Sequence, residues 1–155
     1  MNLEKIVAIS GNTVNGLFEM IANRSNGLVV EDLETKKRRF VASRRHNFTP
    51  LSSVGIYTDD GDAADIKVVF EKMKEQEADN PPVAPNSKEE ELREYFADVL
   101  PTYDKDRVYT RDIKRVIKWY NALKKNGLLE EQAEENQTEE NVAETSSEEA
   151  ENAAG

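Results

Sequence analysis

The segment 110–126, TRDIKRVIKWYNALKKN, combines regularly spaced cations with the only tryptophan of the chain. Built as a helix at about 100° per residue, it has one apolar face and one cationic face. The apolar face consists of Ile113, Val116, Ile117, Tyr120 and Leu123. The cationic face consists of Arg111, Lys114, Arg115, Lys118 and Lys125. We expect the apolar face to pack inside the protein and the cations Arg111, Lys114, Arg115 and Lys118 to bind RNA or DNA.

A second basic cluster surrounds Phe40 and consists of Lys36, Lys37, Arg38, Arg39, Arg44 and Arg45, of which the first four are the candidate nucleic-acid contacts. Cations that follow phosphates, beside a ring that stacks on bases, are typical of single-stranded nucleic-acid binding. Alternatively, Phe40 faces the core while the charges protect a hairpin and an edge strand. The second interpretation is favoured, because a core residue is also expected between Arg39 and Val41.

A protein partner is the alternative to nucleic acid. Trp119 and Tyr120 lie at the border of the apolar stripe, and large aromatic residues often anchor protein interfaces. In that case the basic residues form the rim of a protein–protein interface, and the chain is an adaptor.

Residues for catalysis or metal binding are sparse. His46 is the only histidine and has no obvious partners for a nucleophile–base pair, while the absence of Cys excludes thiolate sites. The aspartates of 59–65 and of 104–112 lack the ligand spacing of a calcium loop. Phosphate-loop and nucleophile-elbow motifs are also missing. We therefore expect no enzyme activity, no cofactor and no metal.

The elements that carry these residues divide the chain into two parts. Short runs rich in Val, Ile and Phe predict five strands in the first part, at residues 5–9, 16–22, 27–33, 38–42 and 54–58. Five consecutive antiparallel strands of this length favour a small, partly open SH3-like barrel. Asp62 is the expected N-cap of a following helix that carries Ile66, Val69, Phe70 and Met73 on one face.

A Pro-rich stretch then separates a helical part. Residues 76–86 contain three prolines and predict a linker. Ser87 and Glu90 form an expected capping box for a helix that Pro101 ends, and Thr110 caps the next helix after an extended link. The predicted fold class is α+β, with a barrel plus helix at 1–75, the linker at 76–86 and a helix–extended–helix subdomain at 87–128.

Charge and composition set the last segment apart. The net charge is −10, from 31 acidic and 21 basic residues, and ten of the acidic residues are glutamates after Leu129. The 129 residues up to Leu129 therefore balance to neutrality. Residues 129–155 lack large apolar side chains and predict a disordered acidic tail. Such a tail either competes with nucleic acid for the basic face or keeps the protein soluble.

No long apolar segment occurs anywhere in the sequence. The start, MNLEKIVAISG, has four consecutive apolar residues, too few for a signal peptide or a spanning helix. We expect a cytoplasmic protein with no membrane contact.

Three stretches together resemble a known family: NLEKIVAISG at 2–11, IYTDD at 56–60, and YFADVLPTYDKDRVYTRDIKRVIKWYNAL at 95–123. They are similar to an uncharacterised domain-of-unknown-function family of Bacteroidetes-type bacteria, over residues 2–127. The family has a Gly-Lys-Pro-Gly-Leu-Tyr turn after the first strand, where this chain reads GNTVNGLF. The resemblance implies a cytoplasmic bacterial protein in two parts and brings no catalytic residues.

Overall fold

The computed structural model describes residues 2–129. Its N-terminal part is a five-stranded antiparallel sheet with the order β4-β3-β2-β1-β5. The strands are β1 (Ile6–Gly11), β2 (Gly16–Arg24), β3 (Gly27–Asp32), β4 (Arg38–Ala42) and β5 (His46–Pro50). The α+β class and the first four predicted strands are confirmed.

The strand predicted at 54–58 is present, but it is not the fifth strand of the sheet. β5 follows β4 after three residues and pairs with β1, whereas Gly55–Tyr57 forms β6 in a separate hairpin with β7 (Ala63–Asp65). β5 has the sequence HNFTP and no buried residue. An edge strand of this kind shows no apolar alternation, so its sequence gives no strand signal.

The sheet is curled but is not a closed barrel. β4 and β5 are its opposite edges, yet the residues 43–45 alone connect them, which requires strong curvature. Among residues 2–129 no ladder joins β4 to β5. The expected barrel is therefore corrected to an open sheet whose two edges approach each other at one end.

Three helices complete the described fold: α1 (Ile66–Gln76), α2 (Glu89–Val99) and α3 (Thr110–Lys125). Their expected caps were misplaced. Asp65, and not Asp62, caps α1 by accepting the Lys67 N–H at 2.9 Å, because residues 63–65 pair with β6. Lys88 occupies the N-cap position of α2 in place of Ser87, and Tyr109 that of α3 in place of Thr110.

Two apolar cores lie on opposite faces of the sheet. Inside the curl, residues from β1 to β4 pack together, among them Val7, Val30 and Val41. On the outer face, Ile6 and Leu51 join the apolar faces of all three helices. β1 is therefore covered on both sides at Ile6 and Val7, which explains its continuous apolar run.

The helical part belongs to this second core. The Pro-rich stretch connects α1 to α2 within one cluster, and the Gln76 side chain donates to the Asp98 carbonyl at 3.0 Å. The link before α3 consists mostly of turns with a single bridge between Thr58 and Tyr103, so it is not an extended segment as expected. Leu129, assigned to the tail, is buried in the core, and residues 130–155 of the predicted tail lie outside the described residues.

Candidate functional site

An open groove of about 860 Å³ lies between α3 and the outer face of the sheet. Its floor includes Ala8, which pairs with Leu17 of β2 on one side and Thr49 of β5 on the other. Ala8 and Ser10 have small side chains, which leave the groove open. Ile6, on the same face of β1, packs in the core with the helices. α3 forms the facing wall.

The wall is cationic. Arg111, Lys114, Arg115 and Lys118 all line the groove, because their spacing of i, i+3, i+4 and i+7 places them on one side of α3. No Asp or Glu is among the lining residues. Within residues 2–129 none of the four forms an ion pair, although the Arg111 guanidinium lies over the Tyr109 ring at 5.1 Å. The structure therefore brings the four predicted cations together at one concave surface.

The opposite face of α3 is as predicted. Ile113, Val116, Ile117, Tyr120 and Leu123 are all buried. The cap at the start of the helix is a local bond in which the Tyr109 N–H donates to Asp112 at 2.9 Å. Thr110 donates its hydroxyl to Glu89 at 2.8 Å, and this bond, followed by that from Arg93, lowers the pKa of Glu89. α3 is thus held at its N-terminus and along its apolar face, and its cations are presented on a rigid element.

Lys125, the fifth predicted cation of α3, does not line the groove. Its Nζ lies 2.9 Å from the Glu34 carboxylate, in the β3–β4 turn. The groove lining likewise lacks Lys36, Lys37, Arg38 and Arg39, which lie in that turn and on β4, a strand that does not pair with β1. The groove therefore contains only one of the two predicted basic clusters.

Phe40 does not face the core. Its side chain is 46% exposed, whereas Val41 beside it is buried. The ring lies close to Gly27 of the neighbouring strand. The edge position of β4 agrees with the protective role of its charges, but the expected burial of Phe40 was wrong.

Only one of the two proposed aromatic anchors is accessible. Tyr120 is completely buried and donates its hydroxyl to Glu77 at 3.2 Å, so it cannot anchor a partner. Trp119 is partly buried against the core and lines the groove. It also lines a smaller hollow of about 200 Å³ beside the groove.

The smaller hollow is bounded by α3, β6 and the turn before α3. Arg107 lies over the ring of the half-exposed Tyr57 at 4.4 Å. The Asp104 carboxylate accepts from Arg107 Nε at 2.9 Å, and this bond, together with the Asp106 N–H, lowers the pKa of Asp104. Arg107 is therefore fixed beside the hollow. Sequence reasoning missed Arg107 because no helical or strand periodicity relates it to α3.

His46 has a structural role in this arrangement. Its Nε2 lies 3.3 Å from the Val14 N–H and 3.1 Å from the Thr13 hydroxyl, and its Nδ1 lies 3.0 Å from the Ala42 carbonyl oxygen. Both ring nitrogens thus hold the β1–β2 loop and the β4–β5 link together. These contacts explain the position of the imidazole without a catalytic role.

The aspartates that suggested calcium accept local hydrogen bonds. The Thr58 hydroxyl donates to Asp60 at 2.6 Å, and this bond, followed by that of the Asp62 N–H, lowers the pKa of Asp60. Asp104 accepts from the backbone of its own turn in the same way. Across residues 2–129, no group of three or more acidic or histidine side chains is placed to hold a metal ion.

Comparison with known sequences divides the chain after β5. Residues 3–51 match a family described as Domain of unknown function (DUF5606), and residues 54–123 match Domain of unknown function (DUF6852). This division falls before α1 and not in the Pro-rich stretch. No curated protein matches the chain.

The fold is similar to one solved by solution NMR for a Bacteroides vulgatus protein of the Northeast Structural Genomics Consortium. The two share 35% sequence identity, with a TM-score of 0.66, over 82% of this chain and 89% of that one. In the part of the chain that the structure describes, no helix has the length and apolar character needed to cross a membrane.

Proposed function

This chain belongs to the family of the Bacteroides vulgatus protein, and we propose that it is a non-catalytic module that binds RNA or DNA in the groove. The two family models that match this chain are domains of unknown function, so the function is inferred from the site. The observation that carries this proposal is the convergence of four cations on one concave surface without a lining carboxylate. We also propose that the protein acts in the cytoplasm.

Phosphates supply the matching charge. Two of the groove cations are Arg and two are Lys, and both types bind phosphate oxygens, Arg as a planar fork and Lys as a point charge. The four are spread over two turns of a helix, so they can follow successive phosphates of one strand. Because the surface is concave, a single strand can reach its floor, whereas the convex phosphate surface of a duplex meets only its rim.

We infer that the site binds its partner and does not catalyse a reaction. His46 is engaged with the β1–β2 loop, and the carboxylates nearest the smaller hollow are bonded to backbone or to Arg107. A cation-lined groove stabilises a bound polyanion, and we propose that this one does not cleave it.

Reversal of charge in the groove tests the proposal. Lys114→Glu with Arg115→Glu should weaken binding of a labelled single-stranded oligonucleotide about a hundredfold at low salt, as measured by fluorescence anisotropy. For the unaltered protein, the slope of log affinity against log salt should be about −3, the value expected for four contacts with a single strand.

A matched control changes the same net charge elsewhere. Lys67→Glu with Lys88→Glu alters two exposed cations of α1 and of the start of α2, outside the groove. Its affinity should stay close to that of the unaltered protein. Equal losses in both double variants would mean that net charge, and not the groove, controls binding, and an absence of binding at low salt would exclude the proposal.

A protein partner is the second candidate, and the position of Trp119 favours it. The indole borders both the groove and the smaller hollow, as an interface anchor surrounded by polar rim residues would. Capture from the native host before and after nuclease treatment distinguishes the candidates. A single protein retained after nuclease treatment supports the adaptor, whereas loss of the captured material supports nucleic acid.

A further inference from the structure

The smaller hollow and the groove form one continuous surface. Val54, Arg115 and Trp119 line both, so a strand whose phosphates lie along α3 passes directly beside the hollow. The two cavities nevertheless differ in chemistry. The groove is lined by cations without a carboxylate, whereas the hollow combines apolar side chains and two arginines with one carboxylate, that of Asp112.

The walls of the hollow suit a flat aromatic ring. Val54 and Val116 provide apolar surface, and the Tyr57 ring, 50% exposed, is stacked by the Arg107 guanidinium. Unstacked bases in single strands are held by aromatic rings and guanidinium planes of this kind. The volume of about 200 Å³ limits the occupant to a single small group and excludes a second stacked base.

Asp112 supplies a hydrogen-bond acceptor. Its Oδ2 accepts the Tyr109 N–H at 2.9 Å, and among residues 2–129 its other carboxylate oxygen has no hydrogen-bond partner. An ionised carboxylate accepts and never donates. A base that places two N–H donors side by side therefore complements the carboxylate best, with one donor to the free oxygen and the other to the second lone pair of Oδ2. Guanine does so with its N1–H and its exocyclic amino group, whereas uracil offers a single N–H flanked by two carbonyl oxygens.

We propose that the hollow holds one unstacked guanine base of a single strand whose phosphates lie in the groove. This inference rests on the proposed function and adds base selectivity to it. The phosphate contacts and the stacking on Tyr57 supply affinity, while the contact to Asp112 selects the base.

The test compares short uridine oligoribonucleotides that carry a guanine, a uracil or an abasic site at the central position. The full-length protein should bind the guanine form about tenfold more tightly than the other two, which is the discrimination expected from a paired base contact. Asp112→Asn should reduce this ratio to near one while affinity for the all-uridine strand stays unchanged. The Asn side-chain oxygen still accepts the Tyr109 N–H, so the cap of α3 is retained.

A second pair of variants tests the hollow without changing Asp112, whose side chain caps α3. Tyr57→Leu removes the ring beside the hollow and should reduce the guanine preference. Tyr109→Leu is its matched control, because Tyr109 is equally exposed and also lies beneath an arginine, yet does not line the hollow. Tyr109→Leu should bind the guanine form with the same preference as the unaltered protein.

The outcomes separate the two proposals. Equal binding of the three oligonucleotides, with the salt dependence retained, would overturn the base site and leave the groove intact. A guanine preference that persists in both Asp112→Asn and Tyr57→Leu would also overturn the assignment to the hollow. Failure to bind any of the strands at low salt would reject the proposed function itself.

Discussion

At the residue scale, the cations of α3 differ in what surrounds them. Lys124 lies 2.7 Å from the Glu77 carboxylate, and Lys125 lies 2.9 Å from that of Glu34. The four groove residues have no such partner among residues 2–129. Exposed ion pairs contribute little to stability, but the carboxylate of each pair neutralises the positive charge of its lysine. Acidic neighbours therefore confine the available positive charge to the side of α3 that faces the sheet.

Gly27 shows a second constraint at this scale. The Asn26–Gly27 pair suggests a turn with positive φ, yet neither residue has one. Glycine is needed for space, because a Cβ at this position would lie 2.2 Å from the Val41 carbonyl oxygen and 2.7 Å from Phe40 Cζ. Gly27→Ala should lower the free energy of unfolding by about 1–3 kcal/mol, measured by chemical denaturation.

Gly55 provides the control for this prediction. A Cβ at this position would lie 3.3 Å from the Ala63 side chain, a much milder contact, and Gly55 has no positive φ. Gly55→Ala should therefore change stability by less than about 1 kcal/mol. If both variants lost the same stability, backbone propensity and not steric overlap would be responsible.

At the scale of elements, α3 connects the two sequence families. Its buried residues share one core with α1, α2 and residues of the sheet part such as Ile6 and Leu51, although the family boundary falls between residues 51 and 54. The family boundary is therefore not a boundary between cores. We expect the two parts to unfold together.

Ile117→Ala tests this expectation. The side chain is completely buried in the shared core, so its truncation should cost about 2–5 kcal/mol. Amide hydrogen exchange should show that the strands of the sheet lose protection together with the helices. Asn121→Ala, at an exposed position of the same helix, should change stability by less than about 0.5 kcal/mol. A sheet that stays fully protected in Ile117→Ala would show two independent units.

At the scale of the whole molecule, the charge is unevenly divided along the chain. The excess of ten negative charges equals the number of glutamates after Leu129, so residues 1–129 are neutral on balance. Long-range attraction of a polyanion thus depends on the local potential of the groove and is opposed by the C-terminal segment. Salt weakens both effects, since the Debye length is about 8 Å at physiological ionic strength.

Replacing the ten C-terminal glutamates with glutamine tests this opposition at constant chain length. The affinity for a single-stranded oligonucleotide should rise about tenfold at low salt, and the difference should disappear at high salt. Fluorescence anisotropy across a salt series measures both. An unchanged affinity at low salt would limit the acidic segment to keeping the protein soluble.

The sequence alone determined the features that depend on local periodicity. The two faces of α3, the apolar faces of α1 and α2, and the first four strands follow from spacing along the chain, because a helix or a strand orients its side chains by a fixed angle per residue. The likeness to the family was also evident from the sequence. These features identified Arg111, Lys114, Arg115 and Lys118 as one set.

Only the tertiary structure decided where these four cations lie and which surface of the sheet lies opposite them. Ala8 and Thr49 form part of the groove floor because β5 pairs with β1, and the polar sequence of β5 does not predict that pairing. The absence of Lys36 from the groove and the position of Arg107 beside Tyr57 likewise depend on contacts between distant segments. Such contacts follow from the packing of whole elements, which no spacing within a single element encodes.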